Sequence, residues 1–236
     1  MADHVDVSQR LQSNLERVMQ QIEHACKKAG REPKEVQLVP VTKYVDVSTT
    51  RELYKLTQGP LGESRPQVIW EKSPAIPDAP WHLVGHLQRN KVARTLPLVD
   101  LIHSVDSQRL LECIDQEAGK LQKIQKVLLE LHLTEEESKT GLGKDEWALI
   151  PDYLIPLQNI CVVGLMTMAP LQGGLHEARR TFAELRRIRD QWQTRFNTPH
   201  KLSHLSMGMT NDFQEAIMEG ATLVRIGSAL FEGILS

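Results

Sequence analysis

Short, almost unbroken apolar runs that alternate with helical stretches constrain this chain more than any other feature. KVLLELHL (126–133) and CVVGLMTM (161–168) show no polar residue at every second position. A strand with one face in water alternates, whereas a strand covered on both faces reads as a continuous apolar run, so these segments predict a parallel sheet wrapped in helices. Further strands are predicted at Val36 to Lys43, around Leu61-Gly62, at Trp81 to His86, at Leu101 to Val105, at Leu205 to Gly208 and at Thr222 to Ser228, which makes eight with the first two.

Helical periodicity fills the intervals. The first helix is predicted over 7–29, carried by Leu11, Leu15, Val18 and Ile22 and ended by Gly30. Others are predicted at Ser48 to Leu56, with Asp46 or Ser48 as cap, and at Pro66 to Lys72, Gln88 to Leu96 and Ser107 to Lys120. Three more follow at Asp145 to Leu154, Leu175 to Phe196 and Asn211 to Glu219. Ser73 to Pro80, with three prolines, reads either as a linker or as a stiff loop within one domain.

Eight strands alternating with helices fit an open doubly wound sheet or a closed barrel, and the absence of a glycine in VPVTKYVDVS after the first strand argues against an open dinucleotide-binding sheet. The expected fold is a single-domain (β/α)8 TIM-type barrel spanning 1–236, with the first helix as an addition. Pro40 lacks a ladder donor inside a strand of that barrel, so a local bulge is expected there.

Composition excludes several functions. With 28 basic and 30 acidic residues and a formal charge of −2, the chain has no one-sided positive field for nucleic acid. No apolar run reaches the roughly 18 residues of a membrane span, and MADHVDVSQR opens acidic and polar, unlike a secretory signal. Cys26, Cys113 and Cys161 are far apart and form no C-x-x-C pair, which predicts neither disulfides nor a zinc site. Most of them are expected to be buried. A cytoplasmic monomer is expected. His82 and His86 sit about 13 Å apart if both lie in a strand, too far to share a metal. Glu135 to Glu137 and the arginines between 179 and 195 read as solvated faces.

The polar residues gather at predicted strand ends. Lys43 closes the first strand, Glu63 and Ser64 follow the second, and His86 follows the third. Met166 and Thr167 end the sixth, Ser206 to Thr210 the seventh and Arg225 to Ser228 the eighth. In a barrel all carboxyl ends of strands open onto one face, where the site is built. An amine there is a nucleophile toward an aldehyde. Arg225 lies in the apolar run Leu223 to Gly227, which argues for an anionic, carbonyl or ring-nitrogen partner. Small and hydroxylated residues after strands seven and eight suit a phosphate.

Those strand-end residues lie within longer motifs: VPVTK (39–43), WHLVGHLQRNK (81–91), HSVDS (103–107), GLMTMAP (164–170), LSMGMT (205–210) and RIG (225–227). Together these resemble the pyridoxal 5′-phosphate (PLP) homeostasis proteins, whose fold is similar to the amino-terminal barrel of alanine racemase, a fold-type III PLP barrel. The resemblance implies that Lys43 holds PLP as an internal aldimine and that Arg225 faces the pyridine nitrogen. It also implies that Ser206, Gly227 and Ser228, with amides near Met207, hold the phosphate, and that Ser64, His86 and Met166 line the cofactor. The family motif Gly-Glu-Asn is Gly62-Glu63-Ser64 here, and Lys139 matches a family lysine near the rim. The implied role is buffering or delivery of PLP, with PLP-dependent apo-enzymes as recipients, rather than catalysis. The alternative is a racemase or decarboxylase of the alanine racemase type. Racemases of this type carry a further β-domain with a catalytic tyrosine, and the barrel takes up all 236 residues. Tyr44 is expected to point away from Lys43 on strand alternation. A third reading, binding of another phosphate ester without covalent chemistry, also fits the rim.

Overall fold

A computed structural model describes residues 7–134, 141–170, 172–196 and 199–234. Eight parallel strands form one sheet: β1 (Gln37–Pro40), β2 (Leu61–Glu63), β3 (Trp81–Leu83), β4 (Leu101–Val105), β5 (Gln125–Glu130), β6 (Ile160–Met166), β7 (His204–Ser206) and β8 (Leu223–Ile226). They pair in the order β1-β8-β7-β6-β5-β4-β3-β2. The two ends of that sheet meet through a single parallel bridge between Val41 and Gly62, where the Thr42 amide donates to the Gly62 carbonyl at 3.0 Å. The expected barrel is therefore closed, and its seam lies between β1 and β2. Gly62 permits the closure, because a Cβ there would stand 3.0 Å from Val39 Cγ1 and 3.3 Å from Val41 Cγ2.

Pro40 sits in register opposite Ile226 without a bulge, which corrects the expectation. Amides along a strand face alternate neighbours: that of Gln37 donates to Thr222 just before β8 and that of Val41 to Ile226 in β8, while that of Thr42 donates to Gly62 in β2. Position 40 therefore faces the seam, where no regular ladder runs and no donor is missed. Register shifts occur instead between β4 and β5 and between β5 and β6.

The outer layer comprises α1 (Val7–Lys28), α2 (Val47–Thr57), α3 (Pro66–Lys72), α4 (Val92–Thr95), α5 (Gln108–Lys120), α6 (Lys144–Trp147), α7 (Ile150–Leu154), α8 (Gly174–Trp192) and α9 (Phe213–Met218). Asp46 caps α2 through its carboxylate, which accepts from the Thr49 amide. The helix expected over 145–154 is broken in two, since Pro151 at the start of α7 has no N–H for a carbonyl of the preceding turn. Pro97 likewise replaces the end of the helix expected at 88–96 with a 3₁₀ turn. In the Ser73–Pro80 segment Ile76 and Ala79 join the core, so it is an internal loop.

α1 covers the carboxyl-terminal part of the barrel wall with Leu11, Val18 and Ile22 fully buried. Asn14 on the same face donates to the carbonyls of Leu230 and Glu232 at 3.1 and 3.0 Å. Cys26 is buried, whereas Cys113 and Cys161 are only half-buried. Fewer cysteines are buried than expected, and burial raises all three thiol pKa values. Among the described residues no helix is long and apolar enough to cross a membrane.

Candidate functional site

A cavity of about 740 Å³ opens at the carboxyl ends of the strands. Val41, Lys43 and Tyr44 line it after β1, Ser64 after β2, and Val84 to His86 after β3. Glu130 from β5 and Met168 to Pro170 after β6 form another wall, while Met209 to Asp212 and Arg225, Gly227 and Ser228 close it beside β7 and β8.

Lys43 stands exposed at the mouth, in a turn closed by the Val45 amide donating to the Thr42 carbonyl at 3.1 Å. Because β1 ends at Pro40, the period of two does not extend to position 44. Tyr44 therefore shares the cavity with Lys43, contrary to expectation, and Lys43 Nζ lies 4.7 Å from the centre of its ring. Below this turn Thr42 is fully buried. Its hydroxyl donates to Glu63 Oε1 at 2.6 Å and its carbonyl accepts from Lys72 Nζ at 2.8 Å.

Arg225 is 4% exposed. Its Nη1 donates to Ser206 Oγ at 2.6 Å and its Nη2 to the Thr167 carbonyl at 3.1 Å. The Thr167 carbonyl is a partner of the kind expected, while the Ser206 hydroxyl is a partner the sequence did not point to. Burial lowers its pKa to about 10, with the carboxylates of Glu130 and Asp212 opposing that shift, so the guanidinium is charged at neutral pH. Two of its five N–H donors are used in these bonds, and the residue also lines the cavity.

The loops after β7 and β8 are joined by Ser228 Oγ donating to Thr210 Oγ at 3.1 Å. Gly208 adopts φ +90, and Asp212 Oδ1 accepts from the Met209 amide at 2.6 Å to close the loop. Gly227 packs where a Cβ would meet the Val41 carbonyl at 3.1 Å. On the opposite side His86 Nδ1 lies 2.9 Å from Asp106 Oδ2.

Of the residues expected at a cofactor, the cavity brings together Lys43, Ser64, His86, Arg225, Gly227 and Ser228. It does not include Met166, Ser206 or Met207, which are at most 1% exposed. Met166 fills the barrel interior with Val39, Leu101, Leu128 and Leu223. The Met207 amide donates to the Leu223 carbonyl, and the Ser206 hydroxyl is taken up by Arg225 and His103. Met166, Ser206 and Met207 thus form the layer directly beneath the cavity. Lys139 and Glu135 to Glu137 lie outside the described residues. Tyr44, Glu130, Thr210 and Asp212 line the cavity but were not among the cofactor candidates. A lone carboxylate inside KVLLELHL was the available signal for Glu130.

The sequence profile of the alanine racemase amino-terminal domain matches residues 8–234, which places the chain among barrels of that class. A pyridoxal phosphate homeostasis protein of Aquifex aeolicus is 39% identical over 219 residues, covering 92% of this chain and 95% of that protein. The solved structure of PipY from Synechococcus elongatus with PLP bound superimposes with a TM-score of 0.78 at 35% identity, covering 89% of this chain and 99% of PipY. A protein of unknown function from Bifidobacterium adolescentis superimposes with a TM-score of 0.87 at 32% identity, covering 98% of each chain. The chain belongs to the pyridoxal phosphate homeostasis protein family.

Proposed function

We propose that this protein binds PLP in the strand-end cavity, attaches it at Lys43 and serves intracellular PLP homeostasis by buffering the cofactor or delivering it to apo-enzymes. One observation carries the reading: an amine, a buried guanidinium and a hydroxyl pair from separate loops face one cavity. When bound, the cofactor supplies an aldehyde that combines reversibly with amines and a ring that withdraws electrons.

Each part of the site has a task toward that ligand. Lys43 offers its amine at the mouth, where incoming and outgoing molecules can reach it. Arg225 presents N–H donors and no acceptor, so it can only donate to the pyridine nitrogen and leaves it unprotonated. That arrangement weakens the ring as an electron sink and suits holding the cofactor over strong carbanion chemistry. Thr210 and Ser228 bring hydroxyls to one corner, where they suit the phosphate. The chain is read as a binder and cytoplasmic carrier rather than an enzyme of ordinary turnover.

The position of Tyr44 gives the racemase alternative one supporting observation, since a phenol lies beside the lysine. Racemization needs proton-transferring groups on opposite faces of the reacting carbon. Lys43 packs on the Tyr44 ring, and the exchange measurement below decides whether the two transfer protons.

Loading the purified protein with PLP tests the binding. The expected product is yellow, and borohydride reduction followed by peptide mapping finds the added mass on Lys43. A wild-type protein that stays colourless with excess PLP overturns the reading. The loaded protein is then incubated with L- and D-amino acids in D₂O, where α-proton exchange no faster than with free PLP is expected. Exchange at enzymatic rates would establish the alternative.

A further inference from the structure

Beneath the cavity the barrel interior holds a polar column in otherwise apolar packing. Arg225 Nη1 reaches Ser206 Oγ at 2.6 Å, Ser206 Oγ reaches His103 Nδ1 at 2.8 Å, and His103 Nε2 reaches His82 Nδ1 at 3.1 Å. Ser206 and His103 are fully buried, and His82 is 7% exposed. The histidine rings lie 5.1 Å apart and are tilted by 49°, which suits an in-plane hydrogen bond rather than stacking.

The direction of every bond in this column follows from one residue. A guanidinium has only donors, so Ser206 Oγ accepts from Arg225. The serine has one hydrogen to give, and of its two side-chain neighbours only the histidine can take it. His103 Nδ1 is therefore an acceptor, and its proton sits on Nε2. That N–H donates to His82 Nδ1, so His82 also carries its proton on Nε2. Burial favours the neutral state in both rings, lowering the pKa of His82 to about 3 and that of His103 in the same direction. A neutral imidazole keeps one lone pair to accept and one N–H to donate, as the column requires.

We propose that Ser206, His103 and His82 are positioning residues that lock Arg225 through a one-way hydrogen-bonded column, aiming its remaining donors at the ligand in the cavity. The inference rests on the PLP reading for the identity of that ligand, but the column itself belongs to the protein alone. It gives Ser206 a role below the guanidinium in place of the phosphate contact expected from the resemblance. Rigid support beneath a donor is what a precise ligand contact needs, because Arg has many rotamers to choose from.

The test begins without cofactor. Long-range ¹H–¹⁵N correlation spectra of histidine-labelled wild-type protein, assigned with His82→Gln and His103→Gln, report which ring nitrogen carries the proton. Both rings are expected as neutral Nε2–H tautomers at neutral pH. A His103 protonated on Nδ1, or on both nitrogens, overturns the proposal. PLP titrations then compare wild type with Ser206→Ala and Ser206→Thr, with circular dichroism to verify folding. Ser206→Ala is expected to weaken PLP binding by at least about tenfold and to shift the absorption of the bound cofactor, with Ser206→Thr restoring both. A folded Ser206→Ala with wild-type affinity and spectrum also overturns it. A wild type that binds no PLP would defeat the cofactor reading instead, and the tautomers would still decide whether the column exists.

Discussion

Lys72 and Glu63 form a buried ion pair, Nζ to Oε1 at 2.7 Å, directly beneath the turn that carries Lys43. Their side chains are 4% and 0% exposed, and both also bind Thr42, the residue before Lys43. The pair comes from two elements, β2 and α3, so it ties the end of β1 to its neighbours at the point where the site begins.

Removing one partner leaves a buried charge without compensation. Lys72→Met is expected to destabilise the protein by about 3–5 kcal/mol, measured by urea unfolding. Combining it with Glu63→Leu should recover much of the loss. A single variant with wild-type stability would show that the pair adds nothing.

The two buried histidines predict a response to acid. Their folded pKa values are lowered, while an unfolded histidine takes up a proton near pH 6.5. The unfolded state therefore binds more protons as pH falls below 6.5, and stability is lost from there down toward the folded value of about 3 for His82. Each histidine contributes a slope of roughly 1.4 kcal/mol per pH unit in that window. Urea unfolding at pH 6.5, 5.5 and 5.0 checks this, and His82→Gln should lower the slope.

Gly208 carries the loop that presents Thr210. At φ +90, a Cβ there would stand 2.6 Å from Ala216 Cβ and 2.8 Å from Phe213 Cα. Gly208→Ala is expected to cost about 1–3 kcal/mol of stability through strain and to weaken PLP binding. Thermal unfolding and a PLP titration measure the two effects separately.

Asn14 pins the end of the chain to the first helix through two carbonyls. Asn14→Ala should cost about 1–3 kcal/mol, because the buried Leu230 carbonyl and the part-buried Glu232 carbonyl lose their donor. Hydrogen exchange should show the added opening confined to α1 and residues 228–234.

The fold was legible because apolar continuity marks doubly covered strands, and KVLLELHL and CVVGLMTM contain β5 and β6. Strand ends were less so. Period-two reasoning ran past Pro40 into a turn and sent Tyr44 the wrong way. The site's cation was visible as an arginine inside an apolar run, and its cavity neighbours Lys43, Gly227 and Ser228 as strand-end residues. Depth was not visible: Ser206 ends β7, yet its side chain lies under Arg225. Nor could local sequence show Lys72, nine positions from Glu63, or His103, which meets Ser206 across the barrel. The first comes from α3 folding back over the end of β2, the second from the curling of the sheet that brings β4 opposite β7.

The single bridge between Val41 and Gly62 makes the wall of the barrel a hoop with a clasp. Most other strand junctions hold several registered pairs, while this one relies on one bridge and the Glu63–Lys72–Thr42 knot beside it. Lys43 stands on one side of the clasp and Ser64 on the other. A ligand that touched both would add a link across the clasp, and binding would then tighten the barrel wall itself.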